Sequence, residues 1–176
     1  MKANHLLFLL LLIGFASHAQ QEAGLLTWNN TENTISISYP KEWTELKLNG
    51  QEIIAFTAPK DNAEDHYPDM LVLRAFPDSG EKNIDRLKDY ARSTLNPEFK
   101  FKISFSKKII AKDKEYIKTI AEKGDGKVVL VMYTLLQEDK IFFLTLNVEK
   151  KNYERYKSVG EHAFESLAVK QAWIIK

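Results

Sequence analysis

Asp61 to Asp69 holds the densest set of groups in this chain that could do chemistry. Asp61, Glu64, Asp65 and Asp69 supply carboxylates, and His66 supplies an imidazole. Hard oxygen ligands suit calcium, and an added imidazole suits zinc or manganese. The spacing is not that of an EF-hand loop, whose central glycine is missing here. Without a glycine, the short span lacks the sharp reversal that would gather these side chains inward. The stretch is therefore expected to be a solvated connector between two strands, not a metal centre. Glu64 or Asp65 acting as a general base would need a partner acid or nucleophile, and the sequence offers none. A metal-assisted hydrolase built on residues 61–69 is the alternative function.

The other histidine beyond the N-terminal segment is His162, with Glu165 three residues on. On a helix these two would be neighbours, but two ligands make no metal site alone. Nothing matches HExxH, G-x-S-x-G or the phosphate-cradling G-x-x-x-x-G-K. No cofactor and no catalytic residue are expected.

A second cluster is basic: Lys100, Lys102, Lys107, Lys108, Lys112, Lys114 and Lys118. Lys100 and Lys102 alternate with Phe99, Phe101 and Ile103, so both lysines leave one strand face. Exposed strand lysines commonly guard a sheet edge against aggregation. The functional reading is a docking surface of Lys100, Lys102, Lys107 and Lys108 for an acidic protein partner. Gln20 to Glu98 carries 14 acidic and 8 basic residues, and Phe99 to Lys176 carries 10 acidic and 16 basic. The halves cancel, and near-neutrality argues against a general nucleic-acid binder.

The first twenty residues read as an address. Lys2 is a positive start, Leu6 to Ile13 is an unbroken apolar run, and Ser17-His18-Ala19 precedes Gln20. That is the three-part secretory signal, with an apolar core too short to remain as a membrane span. Cleavage before Gln20 would leave 157 residues, one ordinary domain, in the periplasm or medium. No later run approaches spanning length. With no cysteine, the exported chain would have no disulfide, no thiol nucleophile and no cysteine-linked lipid anchor. Asn29-Asn30-Thr31 fits a glycosylation sequon, which carries no meaning in a bacterial host.

The elements that must position these groups follow from periodicity. Leu25 to Trp28, Thr34 to Tyr39, Glu52 to Thr57 and Met70 to Phe76 read as strands. Pro40 ends the second by removing a donor. Asn83 reads as the N-cap of a helix striped by Ile84, Leu87, Ala91 and Leu95. Five strands follow: Phe99 to Phe105, Lys107 to Ala111, Glu115 to Glu122, Lys127 to Leu136 and Lys140 to Val148. Asn152 reads as the cap of a last helix striped by Tyr153, Tyr156, Val159, Ala163, Phe164 and Leu167. Gly160 should weaken that helix by about 1 kcal/mol. The tail from Val169 has no clear pattern.

The late strands decide the architecture. Val129, Val131, Tyr133 and Leu135 point one way, and Val128, Leu130 and Met132 the other. Phe142, Leu144, Leu146 and Val148 oppose Ile141 and Phe143 in the same manner. Strands apolar on both faces must be covered on both, and tight turns make their pairing antiparallel. The fold class is α+β, a helix–sheet–helix sandwich (α/β/α) with a central antiparallel sheet and a helix on each face.

That order resembles the PsbP-like domains, including bacterial exported relatives of the DcrB kind. The resemblance rests on Ile35-Ser-Ile-Ser-Tyr-Pro-Lys-Glu-Trp43, on Ile54-Ala-Phe-Thr-Ala-Pro59, on Met70-Leu-Val-Leu and on a last helix ending near Ser166-Leu167. It implies an α/β/α sandwich and little chemistry. It also implies structural roles for Tyr39, Pro40 and Trp43, with the proline ending a strand and the indole covering the sheet's edge. The resulting expectation is an exported, non-catalytic accessory or binding domain of the bacterial envelope, partnered by an envelope protein or complex. No nucleic acid, membrane span or lipid anchor is expected.

Overall fold

The computed structural model describes residues 24–31, 34–46, 52–61, 67–78, 80, 83–95, 100–111, 113–137 and 139–170. The expected secretory segment and the expected mature start at Gln20 lie outside them. The described strands are β1 (Leu25–Asn29), β2 (Ile35–Pro40), β3 (Thr44–Leu46), β4 (Glu52–Thr57), β5 (Met70–Pro77), β6 (Phe101–Ala111), β7 (Lys114–Lys123), β8 (Val128–Gln137), β9 (Lys140–Glu149) and β10 (Ala168–Val169). The helices are α1 (Leu87–Thr94), entered through the 3-10 turn Ile84–Arg86, and α2 (Tyr153–Ser166), entered through the 3-10 turn Lys150–Asn152.

Seven strands form one antiparallel sheet in the order β3-β4-β5-β9-β8-β7-β6, and β1-β2-β10 form a second, smaller one. The two-faced strands β8 and β9 sit at the centre of the large sheet. Their turn closes with Gln137 opposite Lys140, which fixes the register through to Val128 opposite Glu149. A one-residue slip would exchange the side chains that serve the two faces.

Each face has its own core. Val129, Val131, Tyr133, Phe142, Leu144 and Leu146 meet Tyr156, Ala163 and Phe164 of α2, together with Ile35 and Ile37 of the small sheet. On the other face, Leu130, Met132, Ile141 and Phe143 meet Ile84, Leu87 and Leu95 around α1. The sandwich expected from the alternation of β8 and β9 is therefore present. Gly160 lets α2 come close. A Cβ there would lie 3.2 Å from Leu146 Cδ2 and 3.6 Å from Tyr133 Cε2. Tight burial of those two side chains offsets the helix-propensity cost of the glycine.

The structure corrects several expectations. Phe101–Ala111 is one strand rather than two, with a bulge between Ile103 and Phe105. Strands β3 and β10 have no counterpart in the periodicity, because they are three and two residues long. Trp43, immediately before the outer strand β3, is 3% exposed and stands edge-on to Tyr156, with ring centroids 5.3 Å apart, so the indole is part of the core beside that edge. Asn83 does cap, accepting from the Asp85 N–H at 2.9 Å. Asn152 makes no side-chain cap to α2. Its amide is committed elsewhere, as described next.

Candidate functional site

Of the acidic stretch, Glu64, Asp65 and His66 lie outside the described residues. Its two ends are structurally engaged. Asp61 is exposed and accepts from Arg155 Nη1 of α2 at 2.8 Å. Asp69 is 8% exposed. Its Oδ1 accepts the Glu149 N–H at 2.7 Å, and its Oδ2 accepts from Asn152 Nδ2 at 2.7 Å. Its own carbonyl accepts the Ala58 N–H at 2.9 Å. Asp69 thus ties the connection between β4 and β5 to the start of α2, and that explains why Asn152 is not a cap. Among the described residues, no three His, Cys, Asp or Glu side chains come together closely enough to hold a metal ion.

Burial pushes the Asp69 carboxyl above its ordinary pKa of 3.8, against the opposing pull of the Glu149 amide and the Asn152 side chain. The native state therefore binds this proton more tightly than the unfolded chain does. The contribution of this group is complete below 3.8 and is lost as pH rises through the native pKa. Asp69→Asn cannot titrate. Its cost in urea-midpoint stability should accordingly be larger at pH 3.5 than at pH 7. A cost that grows with pH would contradict this.

His162 and Glu165 are both exposed on α2. The lysines divide more sharply. β6 is an outer strand of the large sheet, and among the described strands it pairs with β7 alone. Lys108 pairs with Asp85 at 3.3 Å and with Glu115 at 3.1 Å. Those carboxylates hold its ammonium above the ordinary lysine range. Lys118 pairs with Glu161 of α2 at 2.9 Å and lies over the Tyr133 ring at 5.4 Å. Lys107 stands directly opposite Lys118 and lies over the Phe105 ring at 5.7 Å. Lys102 is exposed opposite Glu122, which itself pairs with Lys150 at 2.9 Å. Lys100 is exposed in the turn before β6, with φ 52.

The bulge decides which of these share a face. Ile103 stands opposite Ala121 in the α1 core, whereas Lys102 and Phe105 stand opposite Glu122 and Ile120. Side chains alternate along a strand, so Lys102 and Lys107 project on the α2 side and Lys108 on the α1 side. Of the four lysines proposed as one docking surface, Lys102 and Lys107 share the α2 side of this edge strand, Lys108 lies on the α1 side, and Lys100 precedes the strand.

Sequence reasoning missed the role of Lys114. Its Nζ donates to the carbonyls of Phe164, Glu165 and Leu167 at 2.9, 2.8 and 2.8 Å. These are carbonyls at the C-terminal end of α2, which has no basic residue of its own in its last turn. That deficit was the signal available in the sequence. Beside this latch lies a cleft of about 650 Å³ between the start of β7, the end of β8 and the α2–β10 segment. Leu135, Leu167 and Val169 make its apolar lining, with Lys114, Glu115 and Gln137 at its polar positions. Gln137 Nε2 donates to the Val169 carbonyl at 2.9 Å. The latch and this amide hold β10 and the helix end in place.

No family model and no curated relative matches the chain in sequence. Solved structures do match in fold. Cyanobacterial PsbP from Synechocystis is similar at a TM-score of 0.65 and 13% identity, covering 84% of this chain and 93% of that one. LpqN of Mycobacterium tuberculosis, described as involved in cell envelope biogenesis, is similar at 0.56 and 13%, covering 84% and 91%. A protein of unknown function from Pseudomonas aeruginosa, described as a putative regulator, is similar at 0.55 and 14%, covering 84% and 99%. At these identities the likeness speaks to the fold, and it agrees with the resemblance read from Tyr39-Pro40 and Trp43: the chain has the PsbP-like fold, an antiparallel sheet with a helix on each face.

Proposed function

We propose that this chain is an exported, non-catalytic binding domain of the bacterial envelope. The observation that carries the proposal is the outer strand β6, eleven residues long, which presents Lys102 and Lys107 to solvent. Among the described residues Lys107 pairs with no carboxylate and stands opposite a second cation, Lys118, whose own charge is met by Glu161. A surface that keeps such a charge is suited to an acidic partner. Asp61 and Asp69 contribute to folding contacts, which favours binding over the hydrolase alternative. The envelope setting draws on the signal-like N-terminus and on the envelope role described for LpqN.

Export is tested by fractionating the host and sequencing the N-terminus of the purified protein. The expected product begins at Gln20 and is found in the periplasm or medium. An intact Met1 on membrane-bound protein would show that the apolar segment is a retained anchor and would contradict the proposal.

A further inference from the structure

We infer that β6 receives its partner by strand addition, pairing edge-on with an extended acidic segment. This inference rests on the docking reading above and names the partner's chemistry. Gln137 opposite Lys140 and Ala111 opposite Lys114 each close a hairpin across two residues, so each is a hydrogen-bonded pair. Alternation from these two ends gives one consistent pattern across β9, β8, β7 and β6. On β6, Phe105, Lys107, Ile109 and Ala111 turn their amides and carbonyls toward β7. Ser106, Lys108 and Ile110 turn theirs outward, where no described strand pairs with them.

The side chains around this open edge set the partner's character. Ile110 is 73% exposed, the largest exposure of any large apolar side chain among the described residues. Lys107 projects above the edge on one face and Lys108 below it on the other, while Lys102 extends the positive charge along the α2 side. An incoming strand with an acidic residue opposite Lys107 would gain a cross-strand pair on the α2 side, whereas Lys108 on the other face already pairs with Asp85 and Glu115. It would also relieve the opposition of Lys107 and Lys118. A second copy of this chain would instead bring Lys102, Lys107 and Lys108 against themselves, so the edge is protected from its own kind.

The test is an NMR titration of the isotope-labelled mature chain. One probe is an extended seven-residue peptide carrying two adjacent glutamates among valines and threonines. The other is its twin with lysines in place of the glutamates. The acidic peptide should shift the amides of Ser106, Lys108 and Ile110, with affinity falling about tenfold between 50 mM and 500 mM salt. The lysine twin should shift nothing. Ile110→Pro removes an outward N–H without touching the β6–β7 ladder and should abolish the shifts. Lys107→Glu should bind the lysine twin better than the acidic peptide, with a melting temperature no lower than that of the parent. That second variant keeps the test decisive should the proline variant fail to fold.

Four results would overturn the inference. One is no shift at millimolar acidic peptide, and another is equal shifts from both peptides. A third is shifts centred on the cleft residues Lys114, Gln137 and Val169. The last is a dimer of the mature chain that Ile110→Pro dissolves. These peptides report on β6 alone. The broader docking reading is decided in cells, by the cross-linking described below, so either can fail without the other.

Discussion

Leu144→Ala should lower the unfolding free energy by about 2–5 kcal/mol. Leu144 is 1% exposed and lies in β9, between Leu73 of β5 and Tyr133 of β8. It belongs to the core that α2 and the small sheet close. Truncation removes apolar area from that core and leaves a void. Central strands with neighbours on both sides cannot shift to fill it without breaking two ladders. The effect should be read as a fall in urea midpoint at unchanged slope. An unchanged midpoint would mean that this face of the sheet is not the core.

Lys114→Met should cost about 1.5–3 kcal/mol, which is unusual for a lysine. The ammonium donates to the carbonyls of Phe164, Glu165 and Leu167, each within 2.9 Å. It also lies 5.2 Å from the Phe164 ring. Charge-assisted bonds to the negative end of a helix are the strong kind. Methionine keeps the aliphatic stem and removes the donors, so the loss reports on the latch itself. Lys107→Met serves as the control and should stay within about 0.5 kcal/mol of the parent. Equal effects at the two positions would mean that Lys114 is an ordinary surface lysine.

What the sequence made legible was local or periodic. The two apolar faces of β8 and β9 follow from alternation alone, and they imply a helix on each side. The Asn83 cap reads correctly because its acceptor needs only the Asp85 amide two residues on. Asn152 carries the same local signal and behaves differently, since Asp69, 83 residues earlier, takes its side chain. Strand β10 exists only because Ala168 and Val169 find Ser36 and Ile35. No local pattern encodes that pairing.

The lysine cluster was visible as a count but not as a surface. One extra residue in β6 moves Lys102 onto the face of Lys107 and leaves Lys108 on the other. Bulges of this kind have no reliable sequence signature apart from glycine, and β6 contains none. Lys114 looked like one more member of the cluster until the fold brought the end of α2 to it, 50 residues away at Phe164.

In-cell photo-cross-linking tests the central claim, that this domain acts by binding, most directly. A photoreactive side chain would be placed in turn at Lys107 on the β6 edge, at Gln137 in the cleft and at Arg92 on the exposed side of α1. The account predicts one discrete adduct from position 107, absent from position 92 and dependent on the native lysine at position 102. No adduct from any of the three positions, in cells that export the protein normally, would contradict it.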